Sequence, residues 1–182
     1  MTDYTTKEDE EFFAAIGRLT ISWAQIELGL DCTVNIIHQF LNGKTIDPKA
    51  PRTSLYRKTR YIRKWIKTLP ESITTGAAIF VEAAPRLMDQ IDAAAEKRHD
   101  LIHGVVIKHE EGSGEADMAR LIHSATKPIE RKYFTVTTTQ ILQQAVDAGK
   151  LGHRSLFLGT ELQNMIIALA NQEKGARGEP ES

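Results

Sequence analysis

The sequence predicts a mainly α protein, an antiparallel up-down four-helix bundle with a small β-hairpin or sheet inserted before the last long helix. Two observations carry that fold class. Apolar residues recur at spacings of three and four in four separate segments, three of them long. Between the third and fourth the pattern changes to β-branched residues and turn chemistry. A hydrophobic fraction of 41% over 182 residues fills one core and excludes disorder throughout. A single domain is expected over residues 1–171, with the β insertion at about 105–136. Residues 172–182, rich in Gly, Glu and Pro, read as a disordered tail.

The first helix follows from Phe12, Ile16, Leu19, Trp23, Ile26, Leu30, Val34, Ile37 and Leu41. Thr5 and Glu8 fit a capping box at its start, and Asn42 with Gly43 fits its end. Gly17 and Gly29 lie off that stripe, each costing roughly 1 kcal/mol against Ala. Cys32 reads as a small core residue on this helix. A second helix is expected from about Ser54 to Leu69, ended by Pro70, with Leu55, Ile62, Trp65, Ile66 and Leu69 inward. Arg57, Arg60, Lys64 and Lys67 fall on its other side, flanked by Lys58 and Arg63, and no acidic residue interrupts it.

The third helix is expected from about Ile73 to His103, kinked or split near Ala84 by Pro85 and stopped by Gly104 as a C′ residue. Strands are expected within Val105–His123, around the turn at Glu111–Glu115, and at Arg131–Val136. The last helix begins after Val136, where Thr137 and Gln140 fit a capping box. Its stripe is small in the middle (Ala145, Ala148, Gly152, Ser155, Gly159), so a neighbouring backbone or large side chain can come close there, and Gly149 or Gly159 offers a break.

Charge and cysteine content narrow the function classes. The 23 basic and 24 acidic residues nearly cancel, so wrapping of long duplexes by bulk charge is excluded and any nucleic-acid contact must be local. One cysteine excludes a disulfide framework and a thiolate zinc site. No apolar run is long enough to span a bilayer, and the acidic Glu8–Glu11 is the wrong charge for a secretory signal, so a cytoplasmic chain without a membrane partner is expected. No Gly-rich phosphate loop or serine nucleophile elbow is present, and no cofactor is expected.

The stretch Glu96–Gly104 gathers an arginine, two histidines and an aspartate at a helix end. Arg98 takes a slot in the apolar stripe, and an unpaired buried guanidinium is costly. It therefore calls for a carboxylate such as Glu27, a protein–protein seam or a phosphate. His99 and His103 share one face. Arg98 and His103, five apart, point roughly 140° away from each other on a straight helix. One chain converges both on a phosphate only if the last turn distorts, whereas two chains about a twofold axis could do so. Asp100 reads as solvent-facing or as a cap for a neighbour. His38, His109, His123 and His153 are scattered and take no role.

Arg98-His99-Asp100-Leu101-Ile102-His103 resembles the R-x4-6-H hallmark of the HEPN (higher eukaryotes and prokaryotes nucleotide-binding) superfamily, with a polar residue directly after the arginine. The long first helix carrying Trp23 to Glu27, the motif helix, Gly104 after the histidine and the long final helix are similar in order to small bacterial and phage-borne members. The resemblance implies a homodimeric, metal-independent endoribonuclease, of the kind used in toxin–antitoxin or phage-defence systems, cutting RNA to a 2′,3′-cyclic phosphate. In that reading Arg98 stabilises charge on the scissile phosphate, His103 moves protons, His99 orients or assists, and Glu27 and Asp100 support them. An antitoxin protein is a possible partner. Val105 stands where toxins paired with a nucleotidyltransferase antitoxin often carry Tyr, so modification there is not implied. Other members are non-enzymatic, and the alternative is a catalytically inactive helical dimer that binds RNA or a partner protein.

Bland and metal readings compete. His103 at a helix C-terminus can be a charge–dipole contact alone. His99-Asp100…His103 is a poor zinc-protease motif, because Asp is too short for the Glu role and a third ligand is missing. A phosphohydrolase built on the His99-Asp100 doublet would need His38 and Asp117 or Asp147 in poor context. No metal site is expected. Arg57, Arg60, Lys64 and Lys67 form either a solvated face or an RNA-tracking surface. Trp23 and Trp65 read as core.

Overall fold

The computed structural model describes residues 6–41, 43–49, 54–69, 78–109, 113–122 and 129–176. It is mainly helical, with a small three-stranded antiparallel sheet before the last helix. The helices are α1 (Lys7–Phe40), α2 (Leu55–Ile66), α3 (Ala78–His103) and α4 (Thr138–Ala176). The strands are β1 (Val105–His109), β2 (Glu115–Ile122) and β3 (Glu130–Thr137), in the order β1-β2-β3. No helix of the described residues is long and apolar enough to cross a membrane.

The chain divides into two compact units, Met1–Ala24 with Ala93–Lys150, and Gln25–Asp92 with Leu151–Ser182. In the first, Phe12, Ala15, Leu19 and Trp23 of α1 are buried with Leu101, Ala116, Met118, Val136, Ile141, Ala145 and Ala148. The inward strand residues alternate, as a half-buried strand requires. Ala116 opposes Val136 and Met118 opposes Phe134 across the β2–β3 ladder. A register irregularity between Val106 and Lys108 interrupts the β1–β2 pairing, which resumes at Lys108 opposite Asp117.

The second unit buries Ile26, Leu30, Val34 and Ile37 with Ile62, Trp65, Leu87, Met88, Ile91, Leu158 and Leu162. Here the small face of α4 has its partner. A Cβ on Gly29 would lie 2.6 Å from both the carbonyl carbon and the Cβ of Ser155. Gly29 is therefore glycine because α1 and α4 approach almost backbone to backbone. Both neighbouring hydroxyls bond within their own helix, Thr33 Oγ1 to Gly29 O and Ser155 Oγ to Leu151 O, each at 2.8 Å, so neither is orphaned in that tight contact.

Several expectations shift. The Thr6 hydroxyl accepts from Asp9 N at 3.3 Å at the α1 N-terminus; the expected Thr5 cap and the Asn42 stop lie outside the described residues. Cys32 is exposed rather than core, since it lies off the buried α1 stripe. α3 runs through Pro85 unsplit, and α4 is unbroken at Gly149 and Gly159. The helix α4 continues to Ala176, and residues 177–182 lie outside the described part, as do 70–77 before α3. The α4 cap is reciprocal: Thr137 N donates to Gln140 Oε1 at 3.0 Å and Gln140 N to Thr137 Oγ1 at 3.1 Å.

Candidate functional site at the end of helix three

The site begins with the way α3 hands over to the sheet. Helical backbone persists to His103, and Gly104 follows before β1. A Cβ at Gly104 would fall 2.6 Å from Asp100 O and 2.9 Å from Met118 Cε. Glycine is therefore demanded first by the last turn's own Asp100 carbonyl, while the sheet packs close behind through the tip of Met118; the positive-φ glycine among the described residues is Gly114, in the β1–β2 turn.

That packing places Asp100 against the sheet. Its carboxylate accepts from Arg120 on β2 and from Lys132 on β3, both at 2.5 Å. Asp100 is thus neither free in solvent nor a cap, and its side chain is only 19% exposed. Burial pulls its pKa up, but Lys132 and Arg120 outweigh that and hold it below the usual carboxylate value. Arg120 and Lys132 are direct cross-strand partners. Their part was hidden in the sequence, where they stand 20 and 32 positions from Asp100 with nothing local to link them.

His99 and His103 meet on the exposed side of the same turn. Their rings touch edge to face with centroids 4.4 Å apart. Both residues are exposed. The His99 pKa is lowered, first by partial burial, then by Arg120, His103 and Arg98, against a smaller upward pull from Asp100. The neutral, proton-accepting imidazole is favoured.

Arg98 is half-buried, and its guanidinium lies over the Trp23 ring, 5.4 Å from the centroid. Its Nε is buried without a hydrogen-bond partner. The inward slot read from the sequence is therefore an aromatic face. Glu27 is half-buried and belongs to the other compact unit. The unbroken helix keeps Arg98 and His103 five positions apart, so it is His99 that His103 meets within one chain.

In the second unit the cations of α2 divide. Arg57, Arg60, Lys64 and Lys67 are exposed. Lys58 is buried and pairs with Asp31 at 2.6 Å, while Arg63 pairs with Asp89 and Asp92 at 2.7 Å each. The two flanking cations therefore hold α2 to α1 and α3, and four remain on the solvent face. His38 is buried as well, sharing a 3.2 Å hydrogen bond with the Tyr61 hydroxyl. His153 is exposed; the side chains of His109 and His123 lie outside the described residues. Among the described residues no three of His, Cys, Asp and Glu gather as a metal-holding group.

Comparison of the chain with protein-family models, with curated proteins and with solved structures returns no match. The α3 terminus presents a surface pair of imidazoles, with Arg98 and Arg120 acting on His99 and the neighbouring Asp100 carboxylate holding Arg120 and Lys132. Such a set can attract a phosphodiester and exchange protons with it.

Proposed function

We propose that this chain is a HEPN-like, metal-independent endoribonuclease whose site is completed where two copies of an up-down helical bundle meet. The observation that carries the reading is the exposed His99–His103 contact beside Arg98 and Arg120. In RNA transesterification an imidazole takes the 2′-OH proton as O2′ bonds to phosphorus. The P–O5′ bond breaks, and the leaving O5′ takes a proton from an imidazolium, giving a 2′,3′-cyclic phosphate and a 5′-hydroxyl. Attacking and leaving oxygens lie on opposite sides of phosphorus. Two rings that touch each other on one helix face cannot flank it while they touch, so one copy offers half a site. His103 is assigned the proton transfer, His99 assists or orients, and Arg98 neutralises the charge developing on the phosphate. Asp100 supports the site by anchoring the motif turn to the sheet, and Glu27 is kept as a supporting residue. The exposed Arg57, Arg60, Lys64 and Lys67 of α2 track the RNA backbone. A cytoplasmic toxin or phage-defence effector, held by an antitoxin protein, is the setting such an activity fits.

The test is cleavage of a labelled single-stranded RNA in EDTA, with product ends analysed. His103→Ala is expected to slow cleavage by about 10²–10⁴-fold, the range for loss of a general acid–base. Arg98→Ala is expected to slow it too, and a 2′-deoxy substitution at the cut nucleotide to stop it. Cleavage unchanged in both variants rejects the assignment.

A second reading is favoured by the seat of Arg98. A guanidinium on the Trp23 ring with a buried Nε is what a structural arginine looks like. It supports a catalytically inactive helical dimer that binds RNA or a partner protein. Binding of the RNA without cleavage decides for it.

A further inference from the structure

The sheet brings Arg120 within electrostatic reach of His99 and sets Lys132 on Asp100, the residue next to that histidine. Arg120 and Lys132 are Cα partners across the β2–β3 ladder, where equal charges directly opposite destabilise a sheet. Asp100 stands between them and bonds both. One carboxylate then serves two cations and a unit of positive charge remains. The balance is the reverse at Arg63, where two carboxylates serve one cation. Glu130, the acid two residues before Lys132, is exposed and forms no ion pair among the described residues. A lock of helix to sheet needs only one of the two cations. Arg120, with a side chain 18% exposed, suffices for it; Lys132 is 47% exposed and surrenders one of three ammonium donors to Asp100.

We propose that Lys132, backed by Arg120, is a phosphate-holding subsite that seats an RNA phosphodiester next to the one addressed by His99 and His103. The proposal rests on the ribonuclease reading and adds to it the residue that grips the chain beside the cut. It also gives the β insertion a purpose: β2 and β3 carry to the end of α3 two cations that the helix itself lacks. The Asp100 carboxylate holds Lys132 in place and offsets part of its charge, which weakens its pull on an anion, so the grip is reversible. The subsite acts through position and charge, with no bond made or broken.

The experiment uses the full chain and a single-stranded RNA. Equilibrium binding across a salt series and steady-state cleavage are measured for wild type, Lys132→Met, Lys132→Arg and His103→Ala, with thermal unfolding as a control. For Lys132→Met the salt dependence of log K is expected to flatten by about 0.7, the contribution of one phosphate contact on a single strand. Its KM is expected to rise several-fold with kcat nearly unchanged, and Lys132→Arg is expected to restore both. His103→Ala should do the opposite, losing kcat while keeping the wild-type salt slope. A Lys132 that only braces the sheet would shift the unfolding midpoint and leave the slope alone. Wild-type binding with a Lys132-dependent slope but no cleavage rejects the nuclease and keeps the subsite. An unchanged slope in Lys132→Met, or no salt-dependent RNA binding by the wild type, overturns the subsite.

Discussion

His99 and His103 touch edge to face at the end of α3, with ring centroids 4.4 Å apart. Two imidazoles in contact cannot both carry a proton without mutual repulsion, and His99 is the one disfavoured, through burial, Arg120, His103 and Arg98 in that order. Arg120→Gln should therefore raise the His99 titration midpoint, and Asp100→Asn should lower it, since Asp100 is the group that pulls it up. Proton NMR of the imidazole signals reads both. Shifts of the same sign in the two variants would remove the electrostatic account.

Stability should follow pH with two acid steps. His99 has a folded pKa below its unfolded value of 6.5, so the unfolded chain binds the proton first. Its contribution is fully present above that value and is lost as pH falls through the folded pKa. Asp100, held below its ordinary 3.8, adds a second contribution, present above that value and lost at lower pH. Urea midpoints measured from pH 7 to 3 should show the upper step vanish in His99→Gln and the lower one diminish in Asp100→Asn.

The glycines of α1 should respond to alanine with opposite signs. Nothing lies within 4 Å of a Cβ built on Gly17, whereas one on Gly29 meets Ser155 at 2.6 Å. Gly17→Ala is expected to stabilise by about 0.5–1 kcal/mol through helix propensity. Gly29→Ala is expected to destabilise by about 1–3 kcal/mol through overpacking. Chemical denaturation of the two variants checks both, and a stabilised Gly29→Ala would mean that α1 and α4 do not close on each other there.

What could be read from the sequence was local or periodic. The α1 stripe, the Thr137–Gln140 capping box, the change of period before β1 and the small face of α4 all lie within a few residues of their cause. What could not be read depends on contacts distant in sequence. Asp100 looked solvent-facing because its two partners arrive on strands whose register is set by turns and packing. Gly104 is legible as a helix stop, and α3 does end at His103 before it, but the close approach of Met118 from β2 is not legible. In Arg98 the inward slot was legible; that an indole, Trp23, would receive the guanidinium was not.

The cations of α2 offer the last separation, between charge that holds the fold and charge left for a ligand. Arg63 is bound to Asp89 and Asp92, and the latter also accepts from the Thr59 hydroxyl at 2.8 Å. Burial alone would lower the Arg63 pKa, but the hydrogen bonds to Asp92 and Asp89 outweigh it. Arg63→Met should leave two carboxylates without their cation and cost about 1–3 kcal/mol. Arg57, Arg60 and Lys67 form no ion pair among the described residues, and single neutral substitutions there should stay within about 0.5 kcal/mol. In RNA binding the order should invert. Neutralising Arg57, Arg60, Lys64 and Lys67 together should flatten the salt dependence of affinity, while Arg63→Met, its charge already spent on two aspartates, should leave that slope unchanged. A slope that responds to Arg63 and not to the exposed four would place the RNA elsewhere than on this helix.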